Sequence, residues 1–214
     1  MEELRYSWSP YLKWGDKQEL QENTFVYHQG ETGKGCFYLE KGGVKITLLS
    51  PQGVERTVNY VPEGMLFGEH GVKKEPYLTS AITTCTSVIY YFSDDQLLRI
   101  CREYPEAART FSNSLIYKFR ILADMFSFLC CPVEQQMAHY LLKVVSETGS
   151  FSLDQTSFAR YIGTSRITVN KILNKWKSQK LIQITQRSIC ILDVDELINI
   201  QNTGEKDLSN VKTF

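Results

Sequence analysis

Between Gly163 and Leu173 the chain reads Gly-Thr-Ser-Arg-Ile-Thr-Val-Asn-Lys-Ile-Leu, and this stretch restricts the available folds more than any other. Just before it, Phe158, Ala159 and Ile162 put apolar or small groups on one face of a short helix. Ala159 is small where a second helix would cross closely. Gly163 stands where the chain must turn, and only glycine takes a positive φ there cheaply. Thr164 or Ser165 then offers a side-chain oxygen to the orphan amides of the next helix. Val169, Ile172, Leu173 and Trp176 recur at helical spacing and form its buried face. The opposite face carries Ser165, Arg166, Ile167, Asn170, Lys171 and Lys175. This pattern predicts a helix-turn-helix whose outward side chains suit base edges and phosphates in a DNA major groove.

Charge points the same way. The chain is neutral overall, with 24 basic and 24 acidic residues. From Gln155 to Cys190 there are seven basic residues and no acid, so the remainder holds 17 basic against 24 acidic. A segregated basic segment is the electrostatic footprint of phosphate contact. Two short β-prone runs follow, Ile182 to Thr185 and Ile189 to Leu192, around Gln186-Arg187-Ser188. They predict a wing with the cation Arg187 at its tip. A helix from Pro132 to Thr148 precedes, with an apolar stripe of Met137, Tyr140, Leu141, Val144 and Val145. Together these elements predict a winged helix-turn-helix.

Residues 10 to 92 have a different texture. β-prone runs at Thr24–His28, Cys36–Glu40, Val44–Leu49, Glu55–Tyr60, Leu78–Thr83 and Ser87–Phe92 alternate with glycines, and Pro51-Gln52-Gly53 marks a tight hairpin. Many short strands at regular spacing indicate a barrel or jelly roll. Between the two regions, Pro105 to Leu129 is a long helix. Phe111, Leu115, Phe119 (or Lys118), Leu122, Phe126 and Leu129 alternate by four and three along it. That is a coiled-coil seam of about three heptads, which predicts a homodimer.

Some chemistries are excluded or disfavoured. No run of 18 apolar residues exists, and Met-Glu-Glu-Leu-Arg is not a signal peptide, so a cytoplasmic chain with reduced cysteines is expected and no membrane partner. Adjacent Cys130 and Cys131 are expected as small buried hydrophobes. No phosphate loop or nucleophile elbow appears, so an enzyme is not expected. His28, His70 and His139 lack metal-ligand spacing.

At this point the chain resembles the CRP/FNR family of bacterial transcription regulators. The matching residues are Gly30-Glu31, Gly42-Gly43-Val44-Lys45, Gly53, Gly64, Phe67-Gly68-Glu69 and the strand from Ala81 to Cys85, followed by the helix-turn-helix and wing. The resemblance covers nearly the whole chain. It implies an α+β protein: a cyclic-nucleotide-binding-like β-barrel or jelly roll over 1–104, a dimerisation helix over 105–131, a winged helix-turn-helix over 132–201 and a tail over 202–214. It also implies an effector-gated homodimeric regulator that binds palindromic double-stranded DNA, with RNA polymerase as a candidate further partner.

The effector is harder to read. Cyclic-nucleotide-binding relatives pair the phosphate with an Arg. Here Lys74-Glu75-Pro76-Tyr77 stands in that segment, and no Arg lies between Arg56 and Arg99. Iron–sulfur relatives use clustered N-terminal cysteines, whereas the first cysteine here is Cys36. No cofactor is therefore expected. What remains is a partial anion cradle from Gly68 to Val72, with Glu69, His70, Lys73 and Lys74, completed by Tyr60, Tyr117 and Lys118 against the long helix. This is similar to the halorespiration regulators of the CprK type, which respond to halogenated aromatic acids. Their recognition helix also lacks the Glu that many relatives carry, and here that position is Ile167. The expected effector is a small organic acid, with aromatic acids among the candidates; a cyclic-nucleotide-responsive regulator and a ligand-free scaffold barrel are the alternatives. A solvated loop and core packing explain the same lysines and tyrosines without a ligand.

Overall fold

Gly35 to Leu39 is apolar or small on consecutive residues, and a strand of that kind has to be covered on both faces. In the computed structural model it is. The structure describes residues 4–148, 151–152, 155–185 and 188–203, and the chain divides into two compact units, Met1–Leu122 and Ala123–Phe214.

The first unit holds eight strands: β1 (Asp16–Leu20), β2 (Phe25–Tyr27), β3 (Gly35–Lys41), β4 (Val44–Leu49), β5 (Glu55–Val61), β6 (Met65–Phe67), β7 (Ser80–Thr83) and β8 (Ser87–Ser93). They form two antiparallel four-stranded sheets, ordered β1-β8-β3-β6 and β2-β7-β4-β5. Phe37 and Leu39 of β3 and Met65 and Phe67 of β6 pack with Tyr27, Val44, Val61 and Ala81 from the other sheet, and with Tyr77 from the segment before β7. The intervening Cys36, Tyr38 and Leu66 face the opposite way, onto Trp8, Tyr11, Phe92, Leu97, Ile100 and Ala107. This second layer comes from a 3-10 helix at Ser9–Trp14, from α1 (Asp94–Glu103) and from the start of α2 (Pro105–Phe128).

Three of these elements differ from the sequence expectations. β1 reads Asp-Lys-Gln-Glu-Leu and is an edge strand held only by β8, so it shows no apolar alternation. β6 is three residues long. α1 is fixed by a capping box, in which Ser93 Oγ accepts from the Gln96 amide at 3.3 Å and Gln96 Oε1 accepts from the Ser93 amide at 2.7 Å. Phe111, expected to open the coiled-coil seam, instead packs in the second layer beside Trp8, with ring centroids 6.5 Å apart.

In the second unit, α3 (Val133–Thr148), α4 (Gln155–Ile162), α5 (Arg166–Ser178) and α6 (Val194–Asn202) share a core with the sheet β10-β11-β9. β9 is Phe151–Ser152, β10 is Ile182–Thr185 and β11 is Ser188–Ile191. Met137, Leu141, Phe158, Val169, Leu173, Trp176, Ile182 and Leu197 are all buried together. α6 follows the expected wing and was not foreseen as a helix; Asp193 caps it by accepting from the Glu196 amide at 2.9 Å. The last turns of α2 belong to this unit. Asp124 accepts from His139 and Lys143 of α3, Phe128 stacks on the His139 ring at 3.8 Å, and Gln201 of α6 donates to the other His139 nitrogen. Cys130 is exposed and Cys131 half-buried, against expectation, because both lie in the turn that joins α2 to α3. Among the described residues no helix is long and apolar enough to cross a membrane.

The turn between α4 and α5 is built as the motif requires. Gly163 has φ of 76°, and its amide and that of Thr164 both bond Ala159 O, at 2.9 and 3.0 Å. Gly163→Ala puts a Cβ on a left-handed residue. It should cost about 1–2 kcal/mol, seen as a lower unfolding midpoint of the second unit; an unchanged midpoint would contradict this geometry.

Candidate DNA-recognition and effector sites

α5 has two unlike faces. Val169, Leu173 and Trp176 are buried, while Ser165, Arg166, Ile167, Asn170, Lys171 and Lys175 are exposed. Of the two candidates, Ser165 is the cap, accepting from the Thr168 amide at 3.1 Å. Ile167 is 81% exposed, which for an isoleucine on a capped helix leaves a large apolar group in water. The Asn170 side-chain oxygen accepts from Gln155 and Asn174, at 3.3 and 3.4 Å, which leaves the amide nitrogen as its outward group. Lys175 is held by Glu134 of α3. Arg187, the expected wing cation, lies outside the described residues.

In the first unit the expected effector residues separate into groups. Gly68, with φ of 75°, leads into a 3-10 turn, Glu69–Lys74. Glu69 is 5% exposed, and a buried carboxylate needs a partner. It has two. Ser114 of α2 donates to Glu69 Oε1 at 2.8 Å, and Lys118, one turn further along α2, forms an ion pair with the same oxygen. The Lys118 ammonium also donates to Leu66 O at 2.9 Å and to Ser114 Oγ at 2.8 Å, so its three protons are all used. Tyr117 packs against the aromatic core of the sheets. Sequence reasoning named Glu69 and Lys118 but missed Ser114; its i,i+4 spacing from Lys118 was the available signal.

The other candidates lie apart from this pair. His70 stacks edge-on to Tyr27 and Tyr77; its Nδ1 accepts from the Leu78 amide at 3.3 Å and its Nε2 lies 3.2 Å from Thr79 Oγ1. Lys73 and Lys74 are exposed and both left-handed, with φ of 63° and 62°. The Lys73 amide donates to Asp94 Oδ2 at 2.9 Å, so an acid of the chain itself occupies part of the expected anion cradle. Gly71 abuts the Tyr77 ring so closely that a Cβ would stand 2.1 Å from it. Tyr60, opposite Lys45 on β4, is 38% exposed. A cavity of about 10 Å³ beside Ser114, lined by Leu4, Trp8, Gly64, Met65, Leu66 and Thr110, has room for one water. Among the described residues no group of three His, Cys, Asp or Glu is placed to hold a metal.

Comparison with known proteins agrees with this division. Residues 17–104 match the cyclic nucleotide-binding domain, and residues 135–200 match the Crp-like helix-turn-helix domain. The chain belongs to the CRP/FNR family of transcription regulators. A CRP-like cAMP-activated global transcriptional regulator of Mycobacterium tuberculosis is 27% identical over 186 residues, covering 80% of this chain and 82% of the relative. The structure of a CooA mutant from Carboxydothermus hydrogenoformans superposes with a TM-score of 0.80 at 19% identity, over 91% of each chain. CprK complexed with OCPA gives a TM-score of 0.76 at 16% identity, over 91% of this chain and 93% of that one. The fold is thus that of a cyclic-nucleotide-binding-like sandwich with a C-terminal helix-turn-helix, and the relatives are DNA-binding regulators rather than enzymes.

Lys118→Met strands the Glu69 charge in the barrel wall and should cost about 3–5 kcal/mol. Adding Glu69→Gln removes the stranded charge and should restore most of that loss; a double variant as unstable as the single one would contradict the pairing. Burial, opposed by Glu69 and reinforced by Lys118, holds the His70 pKa below its ordinary 6.5. Since the folded value lies below the unfolded one, this contribution to stability is complete above pH 6.5 and is lost as pH falls through the folded value. Urea titrations across that range should therefore show a slope that His70→Gln flattens.

Proposed function

We propose that the protein is a homodimeric, cytoplasmic regulator that binds a palindromic DNA site and responds to a small organic acid. The observation that carries the DNA reading is α5 itself, capped by Ser165 and turned so that Arg166, Ile167, Asn170 and Lys171 all point outward. Arg166 donates in bidentate fashion to guanine, Asn170 reads adenine, and Lys171 and Arg187 take phosphates; Lys175, expected from the sequence to join them, is held by Glu134. Ile167 stands where many relatives place an acid. It accepts no hydrogen bond and packs on a thymine methyl, which makes the half-site richer in A·T there. Dimerisation is supported by Leu115, Leu122 and Leu129 together with Phe119 and Phe126, which are 72% and 73% exposed. Two recognition helices one helical turn apart demand a two-fold protein. RNA polymerase is the candidate further partner.

The effector reading rests on Lys118, a cation within reach of an aromatic barrel interior. The carboxylate of an organic acid competes with Glu69 for the Lys118 ammonium, so that α2 exchanges a barrel partner for a ligand partner. That differential contact is what a ligand needs to shift a two-state equilibrium. Tyr117 and the Gly68 turn flank the pair in this proposal, and Tyr60, His70, Lys73 and Lys74 are further candidate contacts for the acid. The one-water cavity and the fully satisfied ion pair favour a second reading, a barrel that acts as a scaffold without ligand.

Selection of bound sites from random DNA should return a palindrome with half-sites one helical turn apart. Arg166→Ala should cost about 1–3 kcal/mol and relax one base position; uniform weakening on all sequences would make Arg166 a phosphate contact. Phe119→Glu should give a monomer in sedimentation equilibrium. Thermal shift against aromatic acids and cyclic AMP separates the effector readings. A shift with cyclic AMP overturns the acid proposal, and no shift with any acid favours the scaffold.

A further inference from the structure

The sequence from Gln155 to Cys190 contains no acid, yet the fold brings one to it. Glu134, in the first turn of α3, receives the Lys175 ammonium on both carboxylate oxygens, at 2.8 and 2.9 Å. The same carboxylate accepts the Trp176 indole N–H at 2.9 Å. Trp176 is fully buried, so Glu134 is anchored to the core and does not drift as an ordinary surface ion does.

A free ammonium that meets a phosphate releases a condensed counterion, and binding then weakens with salt. An ammonium already neutralised by a fixed carboxylate has to give up that partner first. We propose that Glu134 sets the electrostatic share of DNA binding by withholding Lys175 from the phosphates. Lys171, one turn earlier on the same helix, is left to make that contact. The restraint acts equally on all sequences, because phosphates carry no base information. It lowers retention on bulk duplex without touching Arg166, Ile167 or Asn170. The inference rests on α5 being the helix that enters the groove.

Glu134→Gln keeps an oxygen for the Trp176 N–H and removes the charge. Binding of the full-length protein to a random-sequence duplex, followed by anisotropy across a salt series, is the test. The slope of log K against log salt should steepen by about 0.9, equal to one more phosphate contact, and affinity near 0.1 M salt should rise about eightfold. Adding Lys175→Gln to Glu134→Gln should return the slope to that of the unsubstituted protein. A slope unchanged or shallower in Glu134→Gln overturns the proposal, as does a steep slope that survives in the double variant. A second measurement needs no variant. Acylation of lysines with and without duplex should show Lys171 protected and Lys175 unchanged, and protection of Lys175 overturns the proposal. If the unsubstituted protein binds no duplex at all, the placement of α5 in a groove fails first, and that result is distinct from an unchanged slope.

Discussion

A carboxylate buried in a barrel wall is costly unless something of opposite charge comes to it. Glu69 is that carboxylate, and its partner comes from α2 rather than from the barrel. Lys118 and Ser114 lie one turn apart on one face of the helix, and both reach the same oxygen. This pins the rotation of α2 about its axis. Tyr117 is then turned onto the aromatic core, while Leu115, Phe119, Leu122 and Phe126 fall roughly a quarter-turn away and stay exposed. One ion pair therefore decides both what the helix holds and which apolar face it leaves exposed.

Much of this was legible in the sequence because it depends on local rules. The helix-turn-helix follows from Gly163, Ser165 and the spacing of Val169, Leu173 and Trp176, all within one short stretch. The six expected strands were found where apolar and β-branched residues alternate between glycines. α1 was legible too, since Ser93 and Gln96 before Leu97 are a capping-box pattern, but it was read as the end of the barrel. β1 was not legible. Its residues are charged because it is an exposed edge, and only pairing with β8 makes it a strand.

The candidate sites were less legible because charge pairing is a property of space. Glu69 and Lys118 were both singled out, but nothing local says that they meet each other across 49 positions. No acid lies between Gln155 and Cys190, so the local sequence shows no partner for the cations there. Glu134 crosses 41 positions to hold Lys175. Lys73 and Lys74 follow the Gly68 turn in sequence, and both are left-handed and exposed, which no local pattern announces. The Lys73 amide is then taken by Asp94.

The relatives include cAMP-activated regulators, and in this chain an ion pair between Glu69 and Lys118 ties α2 to the barrel wall. The most direct measurement is the affinity for a selected palindromic duplex of the protein and of its Glu69→Gln, Lys118→Met double variant, with and without an acid that shifts the unfolding midpoint. If the pair couples barrel to helix, the double variant should bind with an affinity changed by about tenfold or more and should no longer respond to the acid. Equal affinity and an intact response in the double variant would contradict it.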